Sequence, residues 1–251
     1  LSESTRTKGE IVGLNESKGN MYPFVTHTWN VFKGKCPHEC SYCYMKRYGE
    51  QKPLRFDEKE LKTDLGSGNF IFVGSSCDMF AEHHGWTKDE HAAWWHRAGV
   101  VLEHCNRFEN SYFFQSKNPE RMFSILECGY LEKPFSVCTT IETTRAIPNI
   151  WGVSCPSIHA RTAGMLHFRE QMPDVPRYLT IEPVMDFNVA DMITLIDLID
   201  PVQVNIGADS GGNGLPEPSG DKIQMLLEFY SGKPKFVLKK NLSRIYKVGR
   251  L

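Results

Sequence analysis

Apolar residues along this chain fall into two alternating patterns. Short continuous runs that end in small polar residues suit strands buried on both faces. Such runs occur at 69–75, 111–117, 134–143, 177–183, 201–209 and 235–239, with a first strand at 28–33. Between them lie segments with helical spacing. Thr87-Lys-Asp-Glu90 reads as a capping box, and His91, Trp94, Trp95, Val101, Leu102 and Cys105 continue it to about Asn106. Asn118-Pro119 predicts an N-cap followed by proline at the first helical position, and Gly129 closes that helix. Further helices are expected at 57–65, at 159–171, around Met192, Leu195, Ile196 and Ile199, and at 221–230. Residues 1–27 read as a loop-rich lead with one short strand at 10–13.

Alternation of this kind predicts a parallel sheet with helices outside it. The expected fold is one α/β domain over residues 1–251, a partial or near-complete (β/α) barrel of TIM type with about six or seven parallel strands. Such a fold places reactive groups at the C-terminal ends of its strands. The notable polar residues sit there: Ser75, Ser76 and Asp78, then Lys117, Thr140 with Glu142, Glu182, Asp209, and Lys239 with Lys240.

Composition changes little in this picture. Apolar residues make up 41% and charged residues 24%, which is globular, and no apolar run is long enough to cross a membrane. The first residues are polar, without the apolar stretch of a signal peptide. Eight cysteines in 251 residues are too sparse for a disulfide scaffold, so a reducing cytoplasm is expected. Charge is more informative. Lys233, Lys235, Lys239, Lys240, Arg244, Lys247 and Arg250 crowd the C-terminus without an acid, whereas the whole chain carries −1. This fits either a phosphate-binding stripe or a solvated tail.

The candidate chemistry lies in Cys36-Pro-His-Glu-Cys40-Ser-Tyr-Cys43, directly after the first strand. Thiolates favour zinc or iron–sulfur clusters. A structural zinc wants four protein ligands, and His38 is the nearest candidate for a fourth, awkwardly placed inside the loop. Three thiolates on a four-iron cluster would instead leave one iron open to a small molecule. Cys105, Cys128, Cys138 and Cys155 read as small buried hydrophobes. His83, His84, His91 and His96 lack a carboxylate or thiol at ligand spacing and read as surface or packing residues.

The loop, with Tyr42 before its last cysteine, resembles the C-x3-C-x-aromatic-C signature of the radical S-adenosylmethionine (radical SAM) superfamily. The order of Thr-Trp-Asn, FVGSSCDMF, QSK(117)NPERM, TIE(142)T, LTIE(182)P and GAD(209)SGG over about residues 25–245 is similar to a phage-associated family distantly related to spore photoproduct lyase. The resemblance implies a 4Fe-4S cluster on Cys36, Cys40 and Cys43, and reductive cleavage of S-adenosylmethionine to a 5′-deoxyadenosyl radical. It implies cofactor binding by Tyr42, Ser75, Ser76, Asp78, Lys117, Thr140, Glu142 and Glu182. Lys117 would meet the carboxylate, and Asp78 or Glu142 the amine or ribose. Cys77 is the candidate hydrogen donor, and Asp209, Lys239 and Lys240 are candidates for substrate binding.

The implied substrate is a nucleic-acid base, a modified thymidine in DNA being the leading case, with isomerase or lyase chemistry. The aromatic residues Tyr22, Phe24, Trp29, Trp86 and Trp151 are expected as stacking platforms. The implied partners are a nucleic acid or nucleoside and a reductase or flavodoxin-type electron donor. The rival readings are photoproduct-lyase-like repair, radical chemistry on a peptide or small metabolite, and a non-catalytic metal-cluster protein that binds nucleic acid. The chain departs from the family at Asp209, where Glu is expected, at Gln115-Ser-Lys117-Asn, and at residues 144–158, which read as an insertion.

Overall fold

In the computed structural model, which describes residues 13–18, 22–230, 232 and 234–247, the apolar runs form one open sheet. Its strands are β1 (Asn15–Glu16), β2 (His27–Trp29), β5 (Phe70–Val73), β6 (Ser111–Gln115), β7 (Phe135–Thr140), β8 (Arg177–Ile181), β9 (Gln203–Ile206) and β10 (Lys235–Leu238), adjacent in that order. β1 pairs antiparallel with β2, and every other pairing is parallel. β3 (Phe32–Lys33) and β4 (Arg55–Phe56) make a separate antiparallel pair. Helices α1 (Lys88–Cys105), α2 (Pro119–Leu126), α3 (Ile158–Gln171), α4 (Val189–Ile199) and α5 (Gly220–Phe229) each follow a parallel strand.

Alternate residues of each strand enter two different cores, as the pleat requires. Ile71, Val73, Tyr112, Phe114, Val137, Leu179, Ile181, Val204 and Ile206 pack with the helices. Phe72, Phe113 and Cys138 face the other way and are covered by Tyr22 and Val25. The sheet is strongly curled around that lead. A flat sheet would separate β5 from β10 by about 24 Å, five steps of ~4.8 Å. Yet the Tyr22 ring lies 6.2 Å from the Phe72 ring, and Lys239 Nζ, just after β10, lies 4.8 Å from it. The curl does not close: among the described residues β1 and β10 do not pair, so a closed barrel is not formed. β1 is two residues long and antiparallel, so it ends the parallel ladder.

Two expected elements differ. The strand at 28–33 breaks at Asn30, whose side chain accepts from Ser76 N (2.8 Å) and Ser75 Oγ (3.2 Å). The helix at 57–65 is a five-residue 3-10 helix, Glu58–Lys62, and Lys33 Nζ holds both its N-cap Asp57 (2.8 Å) and buried Glu60 (2.7 Å). The strand expected at 10–13 lies almost wholly outside the described residues. No helix among the described residues is long and apolar enough to cross a membrane.

α2 and α3 meet backbone to backbone at Gly164, where an added Cβ would sit 2.4 Å from Glu120 N. Gly164→Ala is therefore expected to force the helices apart and cost ~1–3 kcal/mol. A thermal melt checks it, with an unchanged Tm as the contrary result.

Candidate active site

The strand ends and the cysteine loop meet around one buried carboxylate. Glu142 follows β7 and is fully buried. Its Oε2 pairs with Arg161 Nη1 at 2.8 Å, and its Oε1 lies 3.4 Å from Lys117 Nζ. Tyr42 Oη donates to the same Oε1, and Trp151 Nε1 donates to Tyr42 Oη at 3.0 Å. Burial works against the Glu142 charge, but Arg161 and Lys117 hold its pKa below the ordinary carboxylate range. Burial likewise opposes the Lys117 ammonium, yet Cys40 and Glu142 leave its pKa raised. One carboxylate thus faces two cations, leaving net positive charge beside the cysteine loop.

Cys40 and Cys36 feel that environment. The hydrogen bond from Cys155 lowers the Cys40 pKa, burial opposes this, and Lys117 adds to the lowering. For Cys36, a hydrogen bond with Cys77 lowers the pKa against burial, with His38 helping. Burial raises the pKa of Cys43, which also feels Cys40 and Cys36. The thiol chemistry fits a soft metal or iron–sulfur group. The arrangement is not yet a ligand set: among the described residues, no three His, Cys, Asp or Glu side chains are arranged to hold a metal ion. Cys77 acts on the Cys36 thiol and Cys155 on that of Cys40, so each of these two expected ligands has a second thiol beside it.

The loop is clamped from both sides. Asp78 accepts from His38 Nε2 (2.7 Å), Ser116 Oγ (2.9 Å) and Lys117 N (2.9 Å). Burial opposes its charge, but His38 keeps its pKa low. Asp78 therefore fastens the loop to the end of β6, where an amine or ribose contact was expected. His38 Nδ1 is buried without a partner among the described residues. Across the loop, Ser41 N donates to Ile150 O (2.8 Å) and Gly152 N to His38 O (2.9 Å). Residues 144–158, which read as an insertion, thus form a strap over the cysteines.

No family model matches this chain, and no curated protein matches it.

The remaining expected residues divide. Ser75 O accepts from Tyr44 Oη (2.8 Å), and Ser75 and Ser76 bind Asn30. Thr140 Oγ1 accepts from Gln115 Nε2 at 2.9 Å. Glu182 sits farther along the strand ends, paired with Lys239 Nζ at 2.6 Å and Asn241 Nδ2 at 3.1 Å. Asp209 accepts from Gly211 N, Asn213 N and Asn213 Nδ2, so its carboxylate shapes its own loop. Lys240 is exposed. Arg244, exposed in the same C-terminal segment, pairs with Glu217, and Lys233 and Arg250 lie outside the described residues.

Several residues have other surroundings than the sequence suggested. Tyr22 and Trp29 are buried, whereas Phe24, stacked on Tyr22, Trp86, stacked on Trp94, and Trp151, tied to Tyr42, are half-buried. Cys105 and Cys138 are buried as expected, Cys128 is exposed, and Cys155 is half-buried against Cys40. His83 and His84 stack on each other, His91 meets Glu82 at 3.1 Å, and His96 is exposed. Sequence reasoning missed Arg161, the tie of Trp151 to Tyr42, and the place of Cys155 beside Cys40. A lone arginine in a helix carries no signal, and a loop tryptophan points to no particular partner, until Glu142 is known to be buried beside them.

Proposed function

We propose that the chain is a radical SAM enzyme whose sheet forms the wall of an incomplete barrel. The observation that carries this is the placement of Cys36, Cys40 and Cys43 in one loop after β2, beside a buried site with an excess of positive charge. In this reading the three thiolates hold a 4Fe-4S cluster. When bound, the cluster and S-adenosylmethionine supply an electron and a carbon radical able to take hydrogen from an unactivated C–H bond. The protein's residues bind, aim and exclude water.

Lys117 is the cation for the cofactor carboxylate, a point charge at the end of β6. Tyr42 is fixed by Glu142 and Trp151, so its ring is a rigid wall beside Cys43. Ser75, Ser76, Thr140 and Glu182 offer donors and acceptors to the rest of the nucleotide. Cys77, 2% exposed and with a pKa raised by hydrogen bonding with Cys36 and by burial, is a neutral thiol suited to hydrogen donation. The substrate we assign is a thymine-type base, met by Lys240 and the exposed basic residues near the C-terminus, and the compartment is a reducing cytoplasm.

The test is 5′-deoxyadenosine formation by anaerobically reconstituted, dithionite-reduced protein, with and without DNA, tRNA or nucleosides. Stimulation by none of them would remove the nucleic-acid assignment. Lys117→Ala is expected to keep its iron but bind S-adenosylmethionine at least about tenfold more weakly, since a charged hydrogen bond is worth ~1.5–3 kcal/mol. Equilibrium dialysis checks this, and an unchanged Kd would refute the role.

A further inference from the structure

An open sheet leaves its last helix half-covered. In a closed ring of strands and helices each helix packs between two others. Here the parallel ladder stops at β10, so α5 packs on α4 and meets no later α-helix among the described residues. The chain after β10 returns as a 3-10 helix, Lys240–Arg244, and reaches α5 at its first residue, where a Cβ on Gly220 would lie 2.9 Å from Ile245 O. Ile223 and Leu226 are the buried face of α5, whereas Met225 is 56% exposed and Phe229 58%. Single exposed hydrophobics are ordinary, but four of the seven large ones among the described residues gather here. The other two are Leu198, near the end of α4, and Val202, just before β9. Tyr230 joins them: its ring lies 5.0 Å from that of Phe229, and its Oη donates to Asp197 Oδ1 (2.6 Å), beside Leu198.

Asp221, Met225 and Phe229 are spaced by four, so they form one stripe along α5. Lys235 follows the end of that helix and donates its N–H to Val202 O (3.4 Å). It opens β10, a strand's length from Lys239 at the mouth. Most other charges near the stripe are engaged. Lys222 Nζ meets Asp186 (2.5 Å), and Glu228, on the flank, accepts from Gln224 Nε2 (2.7 Å). Asp197 is held by Tyr230, and Asp200 pairs with Arg177 at 3.4 Å. Asp221 and Lys235 are exposed and make no ion pair among the described residues. From one end to the other the stripe reads acid, apolar, apolar, base.

We propose that this stripe is a two-fold interface between copies of this chain, with two α5 helices packed antiparallel. The inference goes beyond the radical SAM reading and does not depend on it. A two-fold contact needs a surface that complements itself, and this order of residues does so when reversed. Met225 meets the partner's Phe229, Phe229 meets the partner's Met225, and each Asp221 faces the partner's Lys235. A parallel pairing would set acid against acid and base against base. The apolar side chains form the centre, and Gln224 and Glu228 lie in the polar rim. Two methionines and two phenylalanines make a small core, so association is expected at micromolar rather than nanomolar concentration.

The experiment is analytical ultracentrifugation of the purified full chain over a range of concentrations. The wild type should show a monomer–dimer equilibrium with a micromolar Kd. Met225→Asp/Phe229→Asp should stay monomeric where the wild type is dimeric, with a thermal melt showing that it is folded. Asp221→Lys should weaken the dimer about tenfold, because two exposed pairs of ~0.2–1 kcal/mol each become repulsions. Lys235→Asp should do the same. The swapped variant Asp221→Lys/Lys235→Asp restores both pairs with the apolar centre untouched, and its Kd should return close to the wild-type value. A wild type that stays monomeric throughout overturns the proposal. A swapped variant no tighter than the single variants overturns the antiparallel contact, and species that grow past the dimer overturn it in favour of head-to-tail association.

Discussion

Cys40→Ala protein, reconstituted anaerobically, is expected to hold little iron and to form no measurable 5′-deoxyadenosine. Cys40 is the buried middle cysteine of the loop, and Lys117 and the bond from Cys155 favour its thiolate. A thiolate already favoured by its surroundings costs less to bring to iron than a thiol that must first ionise. Cys155→Ala is the informative companion, because Cys155 touches Cys40 without belonging to the proposed ligand set. It should keep the cluster. Iron and sulfide content and product formation are the readouts. A Cys40→Ala protein with wild-type iron would end the ligand assignment.

Arg161→Met is expected to be the most destabilising single change at the site, by ~3 kcal/mol or more. Arg161 is fully buried, pairs with Glu142 and donates to Thr140 O and Pro156 O, both at 2.9 Å. Removing one partner of a buried pair strands the other charge, which costs ~3–5 kcal/mol. Lys117 at 3.4 Å offsets part of that. The strap should loosen too, since Arg161 also bonds Cys155 Sγ and lies over the Trp151 ring at 4.8 Å. Adding Glu142→Gln removes the stranded charge, so the double variant should recover part of the loss. Chemical denaturation measures both, and proteolysis within 144–158 reads the strap. Because the Glu142 pKa is lowered in the fold, its contribution is complete above the unfolded carboxylate value of ~4.3. It disappears only as pH falls through the lowered folded value.

Much of the scaffold is written in local pattern. Met192, Leu195, Ile196 and Ile199 are the buried face of α4, as their spacing predicts. The Thr87–Glu90 capping box forms at the start of α1. Both signals depend on neighbours within a turn of helix. What failed depended on distant partners. The helix expected from Asp57 is a short 3-10 helix, and its N-cap is tied to Lys33, 24 residues earlier, which no local pattern announces. Asp78 read as a carboxylate for the cofactor amine or ribose, and its bond from His38, 40 residues away, had no sign in the local pattern. The open sheet was equally hidden, since strand counting gives the number of strands and not whether the last meets the first. The site's positions at the strand ends were legible, whereas its division into a charged nest and a clamped cysteine loop required the fold.

The most direct test of the central claim is metal and product analysis of the same anaerobically reconstituted sample. The account predicts about four iron and four sulfide per chain, as a cubane cluster requires, together with 5′-deoxyadenosine from S-adenosylmethionine after dithionite reduction. A single tetrahedral zinc per chain, with S-adenosylmethionine left intact, would contradict it.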